Sequence, residues 1–309
     1  MRVFVTGATG VLGRRVIPAM LAQGHSVTGV SRSLERLSPL VRPGMTPVEC
    51  SLFDAPRITQ AMRGHDVVIN LATHVPAGDD MFLPDAWSQM DQIRRHGSAV
   101  LADSAVAVGA GRFIQESFAP IYPDCGDRWI TEETPAAAPR HNQSVLDAEA
   151  SAASVRRSGA SDVVLRFALL YGPDDPLAHQ VFSSTRRGWR PFVGRPEGFV
   201  ALVTHDDAAA AIVAALTIPA GVYNVVDDEP MRRDAIGDDL ARMLGVGSPR
   251  SEPPWAAQLA GSAGETLTRS LRIANGKLKR ACTWAPIVAN AREGFRLAFE
   301  AERKAGARV

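Results

Sequence analysis

The segment that most restricts this chain is Thr6-Gly7-Ala8-Thr9-Gly10-Val11-Leu12-Gly13. It follows an apolar strand over Arg2–Val5 and opens a helix in which Leu12, Val16, Met20 and Leu21 recur at helical spacing. Gly24 closes that helix, and Ser26–Val30 reads as a second strand. A glycine triplet inside one β-α-β unit has a physical meaning. Gly7 permits a tight turn, Gly10 lets backbone N–H groups approach a pyrophosphate, and Gly13 lets helix and strand pack closely. Thr9, Val11 and Leu12 complete the expected phosphate-facing loop. Pro18 removes a donor inside the helix and predicts a local bend.

The end of the second strand selects the dinucleotide. A site preferring NAD places a carboxylate there for the ribose 2′-hydroxyl. Here the residues are Ser31-Arg32-Ser33, and the first acid, Glu35, comes too late. Arg32 offers a planar cation to a 2′-phosphate, with Arg36 as a helper. The expectation is NADP(H), with Ser31 and Arg32 in the site; the bland alternative is an Arg32 that stacks on adenine or faces solvent.

The same rhythm continues. Strand Pro47–Cys50 leads to Leu52-Phe53-Asp54, helix Ala55–Arg63 and a buried strand over Val67–Ala72. Helix Ala86–Val108, strand Arg112–Gln115, helix Ser144–Ser158 and strand Asp162–Leu170 follow. This alternation predicts an α/β fold: a doubly wound parallel Rossmann sheet with its ligand at the carboxyl ends of the strands. Residues 174–198 read as irregular, Val200–Val203 and Tyr223–Val226 as short strands, and 231–309 as mostly helical. The expected division is a nucleotide-binding domain over 1–171, with 200–226 returning to the sheet. A small, mainly helical C-terminal substrate lobe takes 172–199 and 227–309.

Composition narrows the function classes. The 309 residues carry 34 basic and 33 acidic side chains, a net charge of +1, so no footprint for nucleic acid or an anionic membrane is visible. Three scattered cysteines argue against a disulfide framework or a zinc site and for a reducing compartment. No apolar run has membrane-span length, and the N-terminus begins directly with a strand, so a cytoplasmic location is expected. The lysines are Lys277, Lys279 and Lys304, so none before residue 277 can do chemistry.

Thr6–Gly13, Asp54, Asn70-Leu71-Ala72, Gly111-Arg112-Phe113-Ile114, Arg166 through Tyr171-Gly172-Pro173, Thr204-His205-Asp206-Asp207 and Gly221-Val222-Tyr223-Asn224-Val225 follow one another in order. In these landmarks the chain resembles the extended short-chain dehydrogenase/reductases, the NAD-dependent epimerase/dehydratase group. The resemblance covers about three quarters of the chain. It implies that Asp54 holds the adenine amino group and that Leu71, Ala72 and Thr73 line the nicotinamide side. It also implies that backbone near Ala168 and Leu169 touches the carboxamide ribose. Relatives dimerise through the helices matching 86–108 and 144–158, so a monomer or homodimer is expected.

The family works with a Ser/Thr, a Tyr and a Lys, the last two spaced Tyr-x-x-x-Lys. Here His141 takes the tyrosine position and Val145 the lysine position, and residues 123–170 hold neither tyrosine nor lysine. Phe118 stands where the Ser/Thr is expected, with Ser117 one earlier, and Arg94 stands where relatives carry asparagine. The chain is identified as an atypical member, and three readings compete. The first is an NADPH-dependent ketoreductase of antibiotic biosynthesis acting on a hydroxylated, polycyclic aromatic ketone of polyketide type. Its proton comes from the substrate hydroxyl or from solvent, and it is similar in this to an atypical angucyclinone ketoreductase. The second is a binding protein that senses NADP(H). The third is a sugar-nucleotide epimerase or dehydratase with replacement residues, disfavoured by the missing lysine.

Ser117, His141 and Thr73 are the candidate catalytic residues. Ser117 reads equally as a backbone-capping serine, and His141 reads more readily as a solvated loop histidine. His74, Phe118, His179 and Trp189 are candidate substrate residues, and Phe82, Trp87 and Trp255 are further aromatics near them; any one aromatic reads more readily as ordinary core or surface. His205 is expected to anchor Asp206 or Asp207.

Overall fold

The computed structural model describes residues 1–76, 85–173, 175–253, 255 and 261–306. Phe82 lies outside them. The first half alternates as the glycine motif requires: β1 (Arg2–Thr6), α1 (Gly13–Ala22), β2 (Ser26–Ser31), α2 (Leu34–Leu37), β3 (Met45–Glu49), α3 (Ala55–Met62) and β4 (Val67–Asn70). α4 (Ser88–Gln92) passes through a π-helical turn, Ile93–Gly97, into α5 (Ser98–Val108), followed by β5 (Arg112–Phe118) and α6 (Gln143–Ser154). β6 (Ser161–Phe167), β7 (Leu169–Tyr171), α7 (Pro176–Arg186), β8 (Phe199–Val200), β9 (Leu202–Thr204), α8 (His205–Ala214) and β10 (Gly221–Val225) come next. β11 (Met231–Arg232), α9 (Arg233–Leu244), α10 (Gly261–Thr268), α11 (Gly276–Ala281) and α12 (Ala291–Gly306) complete the described elements.

The main sheet has seven strands in the order β10-β6-β5-β4-β1-β2-β3, and every pairing is parallel. Successive crossovers leave β1 in opposite directions, so a crevice opens at the carboxyl ends of β1 and β4. Apolar side chains cover both faces. Val3, Val5, Ile69 and Ile114 pack under α1 and α8, while Phe4, Val68 and Phe113 pack under α3 and α5. α1 runs unbroken through Pro18. No helix among the described residues is long and apolar enough to cross a membrane.

Several sequence expectations change. Strand 162–170 is two strands, because at Ala168 the chain leaves the main sheet and Leu169–Tyr171 pairs with β9. Of the 200–226 stretch only β10 joins the main sheet; β8 pairs with β11. Residues 174–198, expected to be irregular, contain α7. Asp175 caps it by accepting from the Leu177 N–H, Pro176 occupies its first turn, and Ala178, Val181, Phe182 and Thr185 form its buried stripe. His205 anchors neither Asp206 nor Asp207. Its Nε2 lies 3.1 Å from Asp175, while Asp207 accepts from the Thr204 hydroxyl and from the Ile287 and Val288 N–H groups.

Packing also divides the expected C-terminal lobe. α7, α9 and α12 share a core around Tyr171, Phe182, Leu240 and Phe295. Leu271, Ile273, Leu278 and Trp284 instead belong to the core of the nucleotide domain.

Gly13, at the entrance to α1, leaves no room for a side chain. A Cβ there would lie 2.4 Å from the Gly7 carbonyl oxygen and 2.5 Å from that of Ala8, both backbone atoms that cannot rotate away. Gly13→Ala should therefore destabilise the fold by about 1–3 kcal/mol in denaturant titration. Gly247→Ala, with open space around it, is the control and should change little.

Candidate active site

The crevice is built from the ends of β1 and β4. Gly7 turns with φ +68°, and a Cβ there would lie 2.3 Å from the Leu71 carbonyl oxygen, so only glycine lets the first loop close on the fourth strand. The Gly10 N–H donates to Gly7, while among the described residues the amides of Val11, Leu12 and Gly13 find no backbone acceptor. Unpartnered amides at the start of α1 form an anion cradle. A buried polar chain holds the facing loop. The Thr6 hydroxyl donates to Asn70 Oδ1 (2.8 Å), the Asn70 amide donates to Gln115 (3.0 Å) and Ser98 (3.2 Å), and the Ala72 N–H donates back to Asn70 (3.2 Å).

At the end of β2 the Ser31 hydroxyl accepts from the Ser33 N–H and Ser33 caps α2, which fixes the backbone on both sides of Arg32. Arg32 and Arg36 are exposed and enter no ion pair among the described residues. Asp54 caps α3 through Oδ1, accepting from the Arg57 N–H at 3.2 Å. Ala168 and Leu169 sit at the switch between sheets, their N–H groups held by Val225 and Ala201. These residues fit a dinucleotide: a cradle that a Cβ would fill, unpaired amides for a pyrophosphate and unpaired guanidinium groups at the ribose end.

The chemical end differs from that of a phenol-dependent site. All three tyrosines are core residues: Tyr122 donates to Asn224, Tyr223 to the Pro219 carbonyl, and Tyr171 lies under Gly294 and Phe295. Burial pushes all three phenols up, away from the lowered pKa a proton donor needs. Val145 is buried and has no group for a ribose. Lys277 donates to the Val222 carbonyl and Lys279 pairs with Asp228.

The candidate residues separate. Ser117 does not face the crevice. Its hydroxyl donates to Glu149 at 2.5 Å, and Glu149 holds Arg166 through both oxygens at 2.7 and 2.8 Å. Gln115 and Ser117 share the face of β5 that meets α6, so this buried ion pair takes the hydroxyl that sequence reasoning assigned to substrate. Thr73 and His74 stand exposed after β4, tied to the Met90 sulfur by the Thr73 hydroxyl and the His74 N–H. His141 is the candidate at the chemical end. It lies in the turn Arg140–Asn142 before α6, its Nδ1 lies 3.2 Å from the Ser262 hydroxyl on α10, and its ring stands 5.2 Å from that of Trp87. Burial, helped by the Arg94 charge, holds its pKa below the usual imidazole range. Phe118 is half-buried at the end of β5. His179 is exposed on α7, and Trp189 and Trp255 are largely exposed. A cleft of about 680 Å³ opens beside α10, lined by Asp124, Gly194, Arg195, Glu252, Glu265 and Thr268.

The profile of a family described as NAD(P)H-binding matches residues 7–219. The chain belongs to this NAD(P)H-binding family. A curated relative from a Streptomyces species, 3-diazoavenalumate denitrifying reductase, is 30% identical over 307 residues, covering 96% of this chain and 99% of the relative. The 2-alkyl-3-oxoalkanoate reductase of Shewanella oneidensis is 27% identical over 300 residues, covering 88% of this chain and 73% of that one. The fold is that of Bordetella bronchiseptica WbmG in complex with NAD (TM-score 0.78, 22% identity, 99% of this chain and 95% of that one). It is also that of human epimerase family protein SDR39U1 with NADPH (TM-score 0.78, 18% identity, 97% and 99%). The chain is an NAD(P)H-dependent oxidoreductase with the extended short-chain dehydrogenase fold.

His141 gives a sign that can be checked. Its folded pKa lies below the unfolded value near ~6.5, so the stability of the neutral, buried ring is present above that pH and is lost as pH falls through the folded pKa. The difference in Tm between His141→Leu and the wild type should be constant above about pH 7 and shift in favour of leucine in acid.

Proposed function

We propose that the chain is an NADPH-dependent reductase whose acceptor needs a hydride and no proton from the protein. The observation that carries the reading is the burial of all three phenols together with Val145 in place of a lysine. Bound NADPH supplies the hydride. The glycine loop and the Asn70-held segment fix the dinucleotide, Arg32 takes the 2′-phosphate, and Trp87, Phe118 and His141 wall the acceptor.

Acceptors differ in what they ask of such a site. A ketone needs a proton on oxygen as well as a hydride on carbon. An aryl diazonium ion needs the hydride alone, ending as an arene and dinitrogen with charge balanced. The diazo substrate in the name of the Streptomyces relative, and its match along the whole chain, favour an aryl diazonium acceptor. A hydroxyaryl ketone whose own phenol delivers the proton, including a polycyclic polyketide ketone, is the second reading. The oxoalkanoate reductase relative favours it. The charge balance of the chain and the walls of the site suit a small aromatic molecule in either case.

The test follows loss of NADPH absorbance with 4-carboxybenzenediazonium and, separately, 2′-hydroxyacetophenone, each against an enzyme-free control. The diazonium should be converted to benzoate with release of dinitrogen. Turnover of the ketone alone would select the second reading, and turnover of neither would remove the reductase proposal. Calorimetric titration should show NADPH binding more tightly than NADH, with the gap shrinking roughly tenfold or more in Arg32→Ala; an unchanged gap would overturn the NADP assignment.

A further inference from the structure

Among the described residues, Arg94 is a buried cation with an unpartnered donor. It sits in the π-helical turn Ile93–Gly97, a distortion found disproportionately at functional positions. The residue is only 6% exposed, and its Nη1 is fully buried without a hydrogen-bond partner. Among the described residues its guanidinium enters no ion pair. The acids whose field reaches it are Glu116 on β5 and Asp91 one turn earlier, and burial pushes Glu116 itself toward its neutral form. Burial in turn lowers the Arg94 pKa. A buried cation left this way costs several kcal/mol, which a folded chain retains only where something else supplies the opposite charge.

The surroundings say what that is. His141, at the position where relatives carry their phenol, is close enough to feel the Arg94 charge, and the Trp87 ring stands tilted against the imidazole at 5.2 Å. Ser98, immediately after the π turn, accepts from Asn70, which locks this helix to the strand ends that form the crevice. The Arg94 fork is thus held within electrostatic reach of His141, with a buried donor that has no partner. A planar guanidinium matches a carboxylate or a phenolate.

We propose that Arg94 is the substrate anchor, binding the carboxylate or phenolate of an anionic aromatic acceptor. This rests on the reductase reading above and deepens it by giving the substrate a negative charge.

The probe is benzoate, with benzamide as its neutral counterpart, titrated calorimetrically into protein saturated with NADP⁺. Saturation is verified first, so failure of the cofactor reading is seen separately. Benzoate should bind the wild type at least roughly tenfold more tightly than it binds Arg94→Met, while benzamide should not distinguish the two. Equal benzoate affinity in both proteins, or no preference for benzoate over benzamide in the wild type, would overturn the proposal. Thermal unfolding of the ligand-free proteins gives the second readout. Arg94→Met should be as stable as the wild type or more so, since it removes an uncompensated charge. A marked loss of stability would assign Arg94 to the scaffold instead.

Discussion

The fold depends on the contact between the Gly7 turn and the Leu71–Ala72 backbone. It lies at the only place where a parallel, doubly wound sheet opens a crevice. Gly7 leaves no room for a side chain there, and the Thr6–Asn70–Gln115 hydrogen bonds hold three strand ends in register around it. Backbone amides at the start of α1 then point into a space whose width is set by that contact. Phosphate binding is thus a consequence of how the sheet closes, independent of the side chains that perform chemistry further along the edge.

That independence explains how one half of the site kept its form while the other changed. Tyrosines in this chain are used as core material: the Tyr122 phenol is spent on Asn224, and Arg166 lies over its ring. The Glu149–Arg166 pair keeps Ser117 occupied. What remains at the chemical end is an imidazole held neutral by burial and a guanidinium with donors to spare. Such a pair is poor at delivering protons near neutral pH and good at holding an anion beside an aromatic wall. An acceptor that leaves no oxyanion to be quenched, or quenches its own, is the chemistry this arrangement can serve.

Much of this was legible in the sequence. The glycine loop, its flanking strands and the Arg32 position are local patterns, and local patterns survive into the structure. α7 was missed because Gly172-Pro173 reads as loop, although Asp175-Pro176 is a helix start. The break at Ala168 was hidden because residues 163–170, apolar apart from Arg166, carry no mark of a change of sheet. The partner that takes the Ser117 hydroxyl, Glu149, was not foreseen because one residue of register decides which face of β5 a side chain meets. The alternation of Gln115 and Ser117 on one face of β5 was the available signal for a polar partner on α6. Arg94 was visible as a departure from its relatives, but its lack of a partner is a property of tertiary packing that no single sequence displays.

The central claim is that hydride leaves bound NADPH without a proton from the protein. The most direct measurement is the single-turnover rate of NADPH oxidation with 4-carboxybenzenediazonium from about pH 5.5 to 8, a range in which this acceptor carries no titrating group of its own. The account predicts a rate constant that does not change across the range, in the wild type and in His141→Ala alike. A rate that follows one ionisation, by about tenfold per pH unit, and loses that dependence in His141→Ala would contradict it.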